Sequence, residues 1–108
     1  PMPAVDVEET DDEVRVTAEI PGLDEKDFHV ELDGQRLLLQ GEKKSSREEK
    51  KRNYYYAQAA YGSFFRAVPL PCEVDRDKTR AKYKRGVLTV TMPKTEEAKA
   101  RRLQIEVR

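Results

Sequence analysis

The chain has 108 residues, with 21 basic and 21 acidic side chains, one Cys, one His, and 37% hydrophobic against 39% charged residues. This length favours a single domain. One Cys and one His exclude a disulfide framework and a His/Cys metal site, and no apolar run approaches the ~18 residues that cross a bilayer. We therefore expect one soluble, cytoplasmic domain without a cofactor or stable membrane insertion.

The balanced charge conceals an asymmetry along the chain. Residues 1–33 hold 12 acidic and two basic side chains, whereas residues 34–108 hold nine acidic and 19 basic ones. Such a division is typical of a basic nucleic-acid surface with an acidic tail, or of a protein whose own acidic and basic surfaces meet. A third interpretation is charge scattered over solvated strand faces. Composition does not decide among these three interpretations.

Between closely spaced Gly and Pro residues, apolar side chains alternate with polar ones, which is the periodicity of β-strands. In chain order the alternating residues are Val5 and Val7; Val14, Val16, Ala18 and Ile20; Phe28, Val30 and Leu32; Leu37 and Leu39; Phe65, Ala67 and Leu70; Ala81 and Tyr83; and the run 87–92. Turns are expected at Asp11-Asp12, Pro21-Gly22 and Gly86, and Asp33-Gly34 predicts a two-residue hairpin. About eight short strands predict an all-β antiparallel sandwich over residues 4–93.

A long polar segment interrupts this rhythm. Residues 43–52 contain no apolar side chain and predict a solvated loop. The aromatic, strand-favouring run Asn53, Tyr54, Tyr55, Tyr56, Ala57 follows at once, so the loop 43–60 is expected to carry a strand. That strand pairs either with its own sheet or with a neighbouring chain. Basic and tyrosine side chains together also suit nucleic-acid binding, although Glu48 and Glu49 interrupt the basic run and the pI is only about 7.2.

The C-terminal extension, residues 94–108, combines a charged tether with an apolar end. Thr95 is placed to cap a short helix with acidic residues in its first turn and a Glu97/Arg101 pair four residues apart. Leu103, Ile105 and Val107 are spaced by two, which aligns them on one face of a strand. We expect a short helix followed by a small amphipathic strand.

No catalytic constellation is present, and the chain is not expected to be an enzyme. His29 lies between two apolar residues, so alternation directs it away from the core. Cys72 follows Pro71 at a strand end, where a small structural residue is the expected role. Neighbouring carboxylates such as Glu8 and Glu9 point to opposite faces of a strand and do not form an acid/base pair.

Three segments resemble a known family. Residues 81–90, AKYKRGVLTV, resemble the C-terminal signature of the α-crystallin domain. Residues 61–66, YGSFFR, followed by Leu70-Pro71, look like the middle segment of bacterial and plant small heat shock proteins. Residues 14–22 are similar to their early hairpin. The matches follow the family's order and span nearly the whole chain.

The resemblance implies an immunoglobulin-like sandwich that acts as an ATP-independent holdase chaperone for partly unfolded proteins. It assembles from homodimers into higher oligomers, and nucleic acid is not an expected partner. The run Asn53–Ala57 would cross to a partner chain and pair with its early strand at Val5, Asp6, Val7 and Glu8. Gly86, Val87 and Leu88 would form the signature turn.

The resemblance also implies that Leu103 and Ile105 anchor the tail in a neighbouring domain. An unpaired sheet edge lined by alternate apolar residues would receive them, or a client. We place this groove between the strand of Phe28, Val30 and Leu32 and the strand of Ala81 and Tyr83.

The chain departs from the family pattern at three places. Arg85 stands where the signature often has Asn or Asp. Gln58, Ala59 and Ala60 stand where a Glu-Arg pair commonly precedes the middle segment, so an ion pair of the dimer is missing. Members usually carry an apolar N-terminal arm before the first strand, whereas this sequence begins almost directly on that strand. We therefore expect a core domain with its C-terminal tail.

Overall fold

The structure, a computed structural model, describes residues 3–20, 22–42, 62–101 and 105–108. Within these ranges the chain forms seven strands and one short helix, α1 (Glu96–Ala100). The strands are β1 (Ala4–Glu9), β2 (Glu13–Glu19), β3 (Phe28–Asp33), β4 (Arg36–Glu42), β5 (Ser63–Pro69), β6 (Arg80–Lys84) and β7 (Val87–Pro93). Single 3₁₀ turns at Glu25–Asp27 and Arg76–Lys78 precede β3 and β6.

The strands form two antiparallel sheets that pack face to face. The first sheet has the order β1-β2-β7-β6, and the second has the order β3-β4-β5. This confirms the predicted all-β sandwich. The predicted strand at residues 53–57 lies outside the described residues.

The core lies between the inner faces of the two sheets, as the alternation predicts. In the first sheet, Val16 of β2 lies opposite Val90 of β7, and both are buried. In the second sheet, Leu37 and Leu39 of β4 supply the centre. The buried apolar cluster as a whole comprises Val14, Val16, Ala18, Ile20, Leu37, Leu39, Val68, Leu70, Leu88, Val90 and Met92.

The hairpin between β3 and β4 differs by one residue from the prediction. Asp33 and Arg36 are paired strand residues whose side chains form an ion pair of 3.0 Å, so the two central residues are Gly34 and Gln35. Gly34 alone has a positive φ, 60°, which is the pattern of a type II′ turn. The Asp-Gly pair therefore marks the end of β3 and the first turn position.

The inward face of β5 also differs from the prediction. Phe65 is 55% exposed, whereas Phe64 lies opposite Gly41 of β4 on the core side. A Cβ atom at position 41 would lie 2.6 Å from the Phe64 ring, so only glycine leaves room for it. Packing of one ring over one glycine selects the face of β5.

The helix of the C-terminal extension forms as predicted, but its ion pairs differ. The Thr95 Oγ1 accepts a hydrogen bond of 3.0 Å from the Ala98 backbone N–H. Arg101 pairs with Glu73 at 3.1 Å instead of with Glu97. Residues 105–108 form no strand, because a strand needs a hydrogen-bonding partner and none of the described strands adjoins them.

Candidate functional site

Two edge strands from different sheets, β3 and β6, lie next to each other at one side of the sandwich, and we call the space between them the groove. Each of β3 and β6 pairs with a single described neighbour, β4 and β7 respectively. The free side of an edge strand carries unpaired N–H and C=O groups, which are a template for an added strand. These are the two strands between which the sequence places the groove.

Contacts at both ends of the groove define its direction. At one end the rings of Phe28 and Tyr83 pack edge to face with centroids 4.7 Å apart. At the other end the Arg76 guanidinium donates to the Leu32 carbonyl at 3.3 Å. Because Phe28 begins β3 whereas Tyr83 is near the end of β6, the two strands run antiparallel along the groove. The four residue steps from Phe28 to Leu32 give it a length of about 13 Å.

The middle of the groove is apolar and partly open. Val30 and Leu32 of β3 are half-buried against the core cluster, and Ala81 of β6 is exposed. Ala81 and Tyr83 share the inner side of their strand, opposite the core residues Val90 and Leu88 of β7. The open part therefore lies between the fastened ends, and it exposes small and branched apolar side chains.

Tyr83 has a structural role that the sequence did not indicate. Its hydroxyl lies 2.7 Å from the carbonyl oxygens of both Ile20 and Leu23, which precede β3 in the chain. Burial raises the pKa of the Tyr83 phenol, with smaller contributions from the Asp24 and Asp27 carboxylates. The protonated phenol thus ties β6 to the connection between the two sheets and closes this end of the groove.

The strand β1 is the opposite edge of the first sheet. Its Val5 is half-buried, Asp6 and Glu8 are exposed, and Val7 is 41% exposed. One side of β1 pairs with β2, and the other has no neighbour among the described strands. This is the strand on which the sequence places the pairing with a partner's residues 53–57, which themselves lie outside the described ranges.

An ion pair between a buried lysine and a partly exposed glutamate fastens the end of β1. The Lys94 side chain is 2% exposed, and its Nζ donates to the Glu9 Oε2 at 2.7 Å. The Lys94 backbone N–H donates to the Asp12 carbonyl at 2.8 Å. Sequence reasoning missed this lysine, although its position two residues after the buried Met92 continues the inward alternation of β7.

The signature turn joins β6 to β7 and has a structural role. Arg85 and Gly86 both have positive φ, 52° and 79°, as a type I′ turn between β6 and β7 requires. The Gly86 carbonyl accepts from the Ile20 N–H at 2.7 Å, Val87 is half-buried, and Leu88 is buried in the core. An arginine at position 85 thus adopts the left-handed conformation that Asn or Asp favours there.

The tail places an apolar side chain in solvent. Ile105 is 75% exposed, so it packs little against its own chain, whereas Leu103 lies outside the described residues. An exposed branched side chain and a partly open apolar groove thus occur on one chain.

The remaining sequence candidates have no partners for chemistry in the described part of the chain. His29 is exposed, 3.8 Å from Glu31. Burial raises the pKa of the Cys72 thiol, which disfavours the reactive thiolate. No group of three or more His, Cys, Asp or Glu among the described residues is arranged to hold a metal ion.

Comparison with known proteins identifies the family. The model of the Hsp20/alpha crystallin family matches residues 6–108. The chain belongs to the Hsp20/alpha crystallin family. It is 40% identical over 104 residues to the spore protein SP21 of Stigmatella aurantiaca, which covers 96% of this chain and 62% of that protein. It is 34% identical over 105 residues to small heat shock protein C2 of Rickettsia felis, covering 97% and 68% of the two chains.

Solved structures of Hsp20/alpha crystallin proteins share the fold. Heat shock protein 16.0 from Schizosaccharomyces pombe superposes with a TM-score of 0.75 at 34% identity, covering 100% of this chain and 76% of that one. A small heat-shock protein from Xylella fastidiosa, described as having a distinct high order structure, gives a TM-score of 0.72 at 31% identity, covering 99% and 98%. The chain spans about two thirds of the length of the curated relatives that it matches.

Among the described residues, the helix that forms is far too short and charged to cross a bilayer. The nucleic-acid alternative predicted from residues 43–56 falls outside the described ranges.

Proposed function

We propose that this chain is an ATP-independent holdase that binds apolar segments of partly unfolded proteins in the groove between β3 and β6. The observation that carries the proposal is the groove itself: Val30, Leu32 and Ala81 line an open stretch between two fastened ends. Membership of the Hsp20/alpha crystallin family supports a chaperone role.

The groove offers both apolar contact and backbone pairing. An extended segment that lies along β6 or β3 pairs with the free edge of that strand, and alternate side chains enter the space between the sheets. Backbone pairing does not depend on sequence, so the site accepts unrelated unfolded chains.

We propose that the tail occupies the same groove in a neighbouring copy. Inserting Leu103 and Ile105 removes about 200 Å² of apolar surface from water, a gross gain of ~5 kcal/mol. Ordering each tail residue costs about 1 to 2 kcal/mol, so a single tail binds weakly and exchanges with clients. Several tails in one assembly hold through multivalency.

We also propose that the chain dimerises through β1. The free edge of β1 and the exposed Val7 suit a strand added from a partner, and residues 53–57 are the strand-favouring segment available for it. The dimer is then the unit that tails connect into larger assemblies.

A charge placed in the groove tests the holdase proposal. Ala81→Lys introduces an ammonium group at an exposed position on the inner side of β6, so we expect it to suppress aggregation of a heated unrelated protein several-fold less well than the original chain, without ATP. Light scattering of the heated protein measures this.

Ala100→Lys is the matched control, since it adds the same side chain at an exposed position at the end of α1. A cation there suits the helix C-terminus, and we expect suppression equal to that of the original chain. Equal suppression by Ala81→Lys would remove the groove from the mechanism.

A further inference from the structure

The outer face of the first sheet has a regular distribution of charge. The strand registers place its residues in three rows that cross the sheet from β1 to β6. The rows are Glu8, Arg15, Thr91, Arg80; Asp6, Thr17, Thr89, Lys82; and Ala4, Glu19, Val87, Lys84. We call this surface the charged face. Each row has a carboxylate on β1 or β2 and a basic side chain on β6.

Among the residues that the structure describes, the charges at the two edges of this face have no ion-pair partners. Asp6, Glu8, Arg80, Lys82 and Lys84 are all exposed, and none of them forms an ion pair with another described residue. Three strand spacings of about 4.8 Å separate β1 from β6 by about 14 Å. This exceeds the screening length of about 8 Å at physiological salt, so the edges do not neutralise each other within one molecule.

The centre of the charged face allows close approach. Thr17 and Thr89 are half-buried and Thr91 is buried, and all three are small and uncharged. The central strands carry two charges in these rows: Arg15 bonds to the neighbouring Glu13 at 2.7 Å, and Glu19 lies at the end of β2. A second copy therefore meets mainly the three threonines at the centre, while the unpaired charged side chains of β1 and β6 stand at the two sides.

We propose that the charged face binds the charged face of a second copy of this chain, about a two-fold axis parallel to the strands. Rotation about that axis places the basic β6 of each copy over the acidic β1 of the other, so the favourable contact occurs twice. A two-fold axis in the sheet plane but perpendicular to the strands would place β6 over β6. Like charges exclude that arrangement, so the charge pattern selects one geometry.

The dimensions of the face make this contact weak and sensitive to salt. Four strands and about six residues along each give roughly 400 Å² per copy, or about 800 Å² in total. Stable interfaces bury about 1,200 to 2,000 Å². The charged face lies on the side of the sheet away from the core, so its occupation leaves the groove and the free edge of β1 accessible. The inference therefore goes beyond the holdase proposal.

Charge reversal on one edge at a time tests this association. One variant carries Arg80→Glu and Lys82→Glu, which makes both edges acidic, and the other carries Asp6→Lys and Glu8→Lys, which makes both basic. In sedimentation velocity at low salt, we expect each variant alone to self-associate at least tenfold more weakly than the original chain. An equal mixture of the two regains the association, because acidic edges then meet basic edges throughout.

Matched variants change the same charges away from the face. Lys26→Glu with Arg36→Glu, and Glu25→Lys with Glu31→Lys, alter exposed residues outside the first sheet, and we expect them to self-associate like the original chain. Urea unfolding of every variant verifies that it is folded.

Three outcomes would overturn the proposal: unchanged self-association of the reversed variants, no association in their mixture, or equal losses in the matched variants. Association of the original chain that disappears after nuclease treatment would instead assign the basic edge to nucleic acid. If the original chain fails to suppress aggregation while the charge-reversed variants lose and regain association as expected, the holdase proposal is rejected and the charged-face proposal is retained.

Discussion

Tyr83 shows how a single residue links the groove to the fold. Its ring packs on Phe28, and its hydroxyl shares one proton between the carbonyl oxygens of Ile20 and Leu23. Since β6 is an edge strand, these contacts hold its inner side against the other sheet. The aromatic residue thus limits the groove at one end and keeps the two strands together.

Removal of the Tyr83 hydroxyl measures how much its hydrogen bonds stabilise the fold. Tyr83→Phe keeps the ring packing but leaves two carbonyl oxygens without their donor, so we expect the free energy of unfolding to fall by ~1 kcal/mol. Urea unfolding at neutral pH measures the change. An unchanged unfolding free energy would mean that the hydroxyl bonds contribute nothing to stability.

The difference in unfolding free energy between the original chain and Tyr83→Phe depends on pH. Burial raises the pKa of Tyr83 in the folded state, so its stabilising contribution is complete below the unfolded pKa of about 10 and is lost as pH rises through the folded value. We expect the difference in unfolding free energy between the original chain and Tyr83→Phe to shrink above about pH 10. A difference that grows with pH would contradict the assignment.

At the scale of the element, β1 depends on the ion pair that Glu9, at its end, forms with the buried Lys94. Glu9→Ala leaves the Lys94 ammonium, which is 2% exposed, without its carboxylate, and we expect the unfolding free energy to fall by ~2 kcal/mol. Loosening of β1 would also weaken the proposed dimer, which sedimentation measures. Adding Lys94→Met removes the unpaired charge and should recover most of the stability.

Glu8→Ala is the control for this prediction. Glu8 is the preceding residue of the same strand, is exposed, and has no ion-pair partner among the described residues, so its loss should change stability by less than about 0.5 kcal/mol. If Glu8→Ala and Glu9→Ala were equally stable, the Glu9–Lys94 pair would not anchor β1.

Sequence periodicity predicted the strands well because burial of one sheet face imposes an alternation that is visible in a single chain. It failed for β5, where Phe64 and Phe65 are adjacent and Arg66 interrupts the alternation that faces the core. The choice between them depends on Gly41, which lies across the sheet from Phe64. Such a pairing involves residues far apart in sequence, and no local pattern reports it.

The two strands that border the groove could be predicted from the sequence, whereas the contacts that hold them could not. Alternating apolar residues predicted both strands, and the need for an unpaired edge lined by such residues placed the groove between them. The Tyr83 hydroxyl bonds and the Lys94–Glu9 pair were not predictable, since they join positions 60 to 85 residues apart. Polar contacts of this range depend on the completed sandwich.

At the scale of the whole molecule, the three proposed contacts lie at different places on the two sheets. The groove lies between β3 and β6, the strand-pairing edge is β1, and the charged face covers the outer side of the first sheet. The groove lies on the inner side of β6, the dimer would use the backbone edge of β1, and the charged face uses outward side chains, so one chain can engage a tail or client, a dimer partner and a stacked copy together. The proposed assembly then combines several weak contacts, and each of them exchanges individually.

The most direct measurement of the central claim is site-specific photocrosslinking from within the groove. A benzophenone side chain is placed at position 81, inside the groove, or at position 29, exposed on the opposite side of β3. Without a client, position 81 should capture residues 103–108 of another copy. With a heated unrelated protein and no ATP, it should capture that protein instead, while position 29 captures neither. Equal capture at both positions, or capture at position 29 alone, would contradict the account.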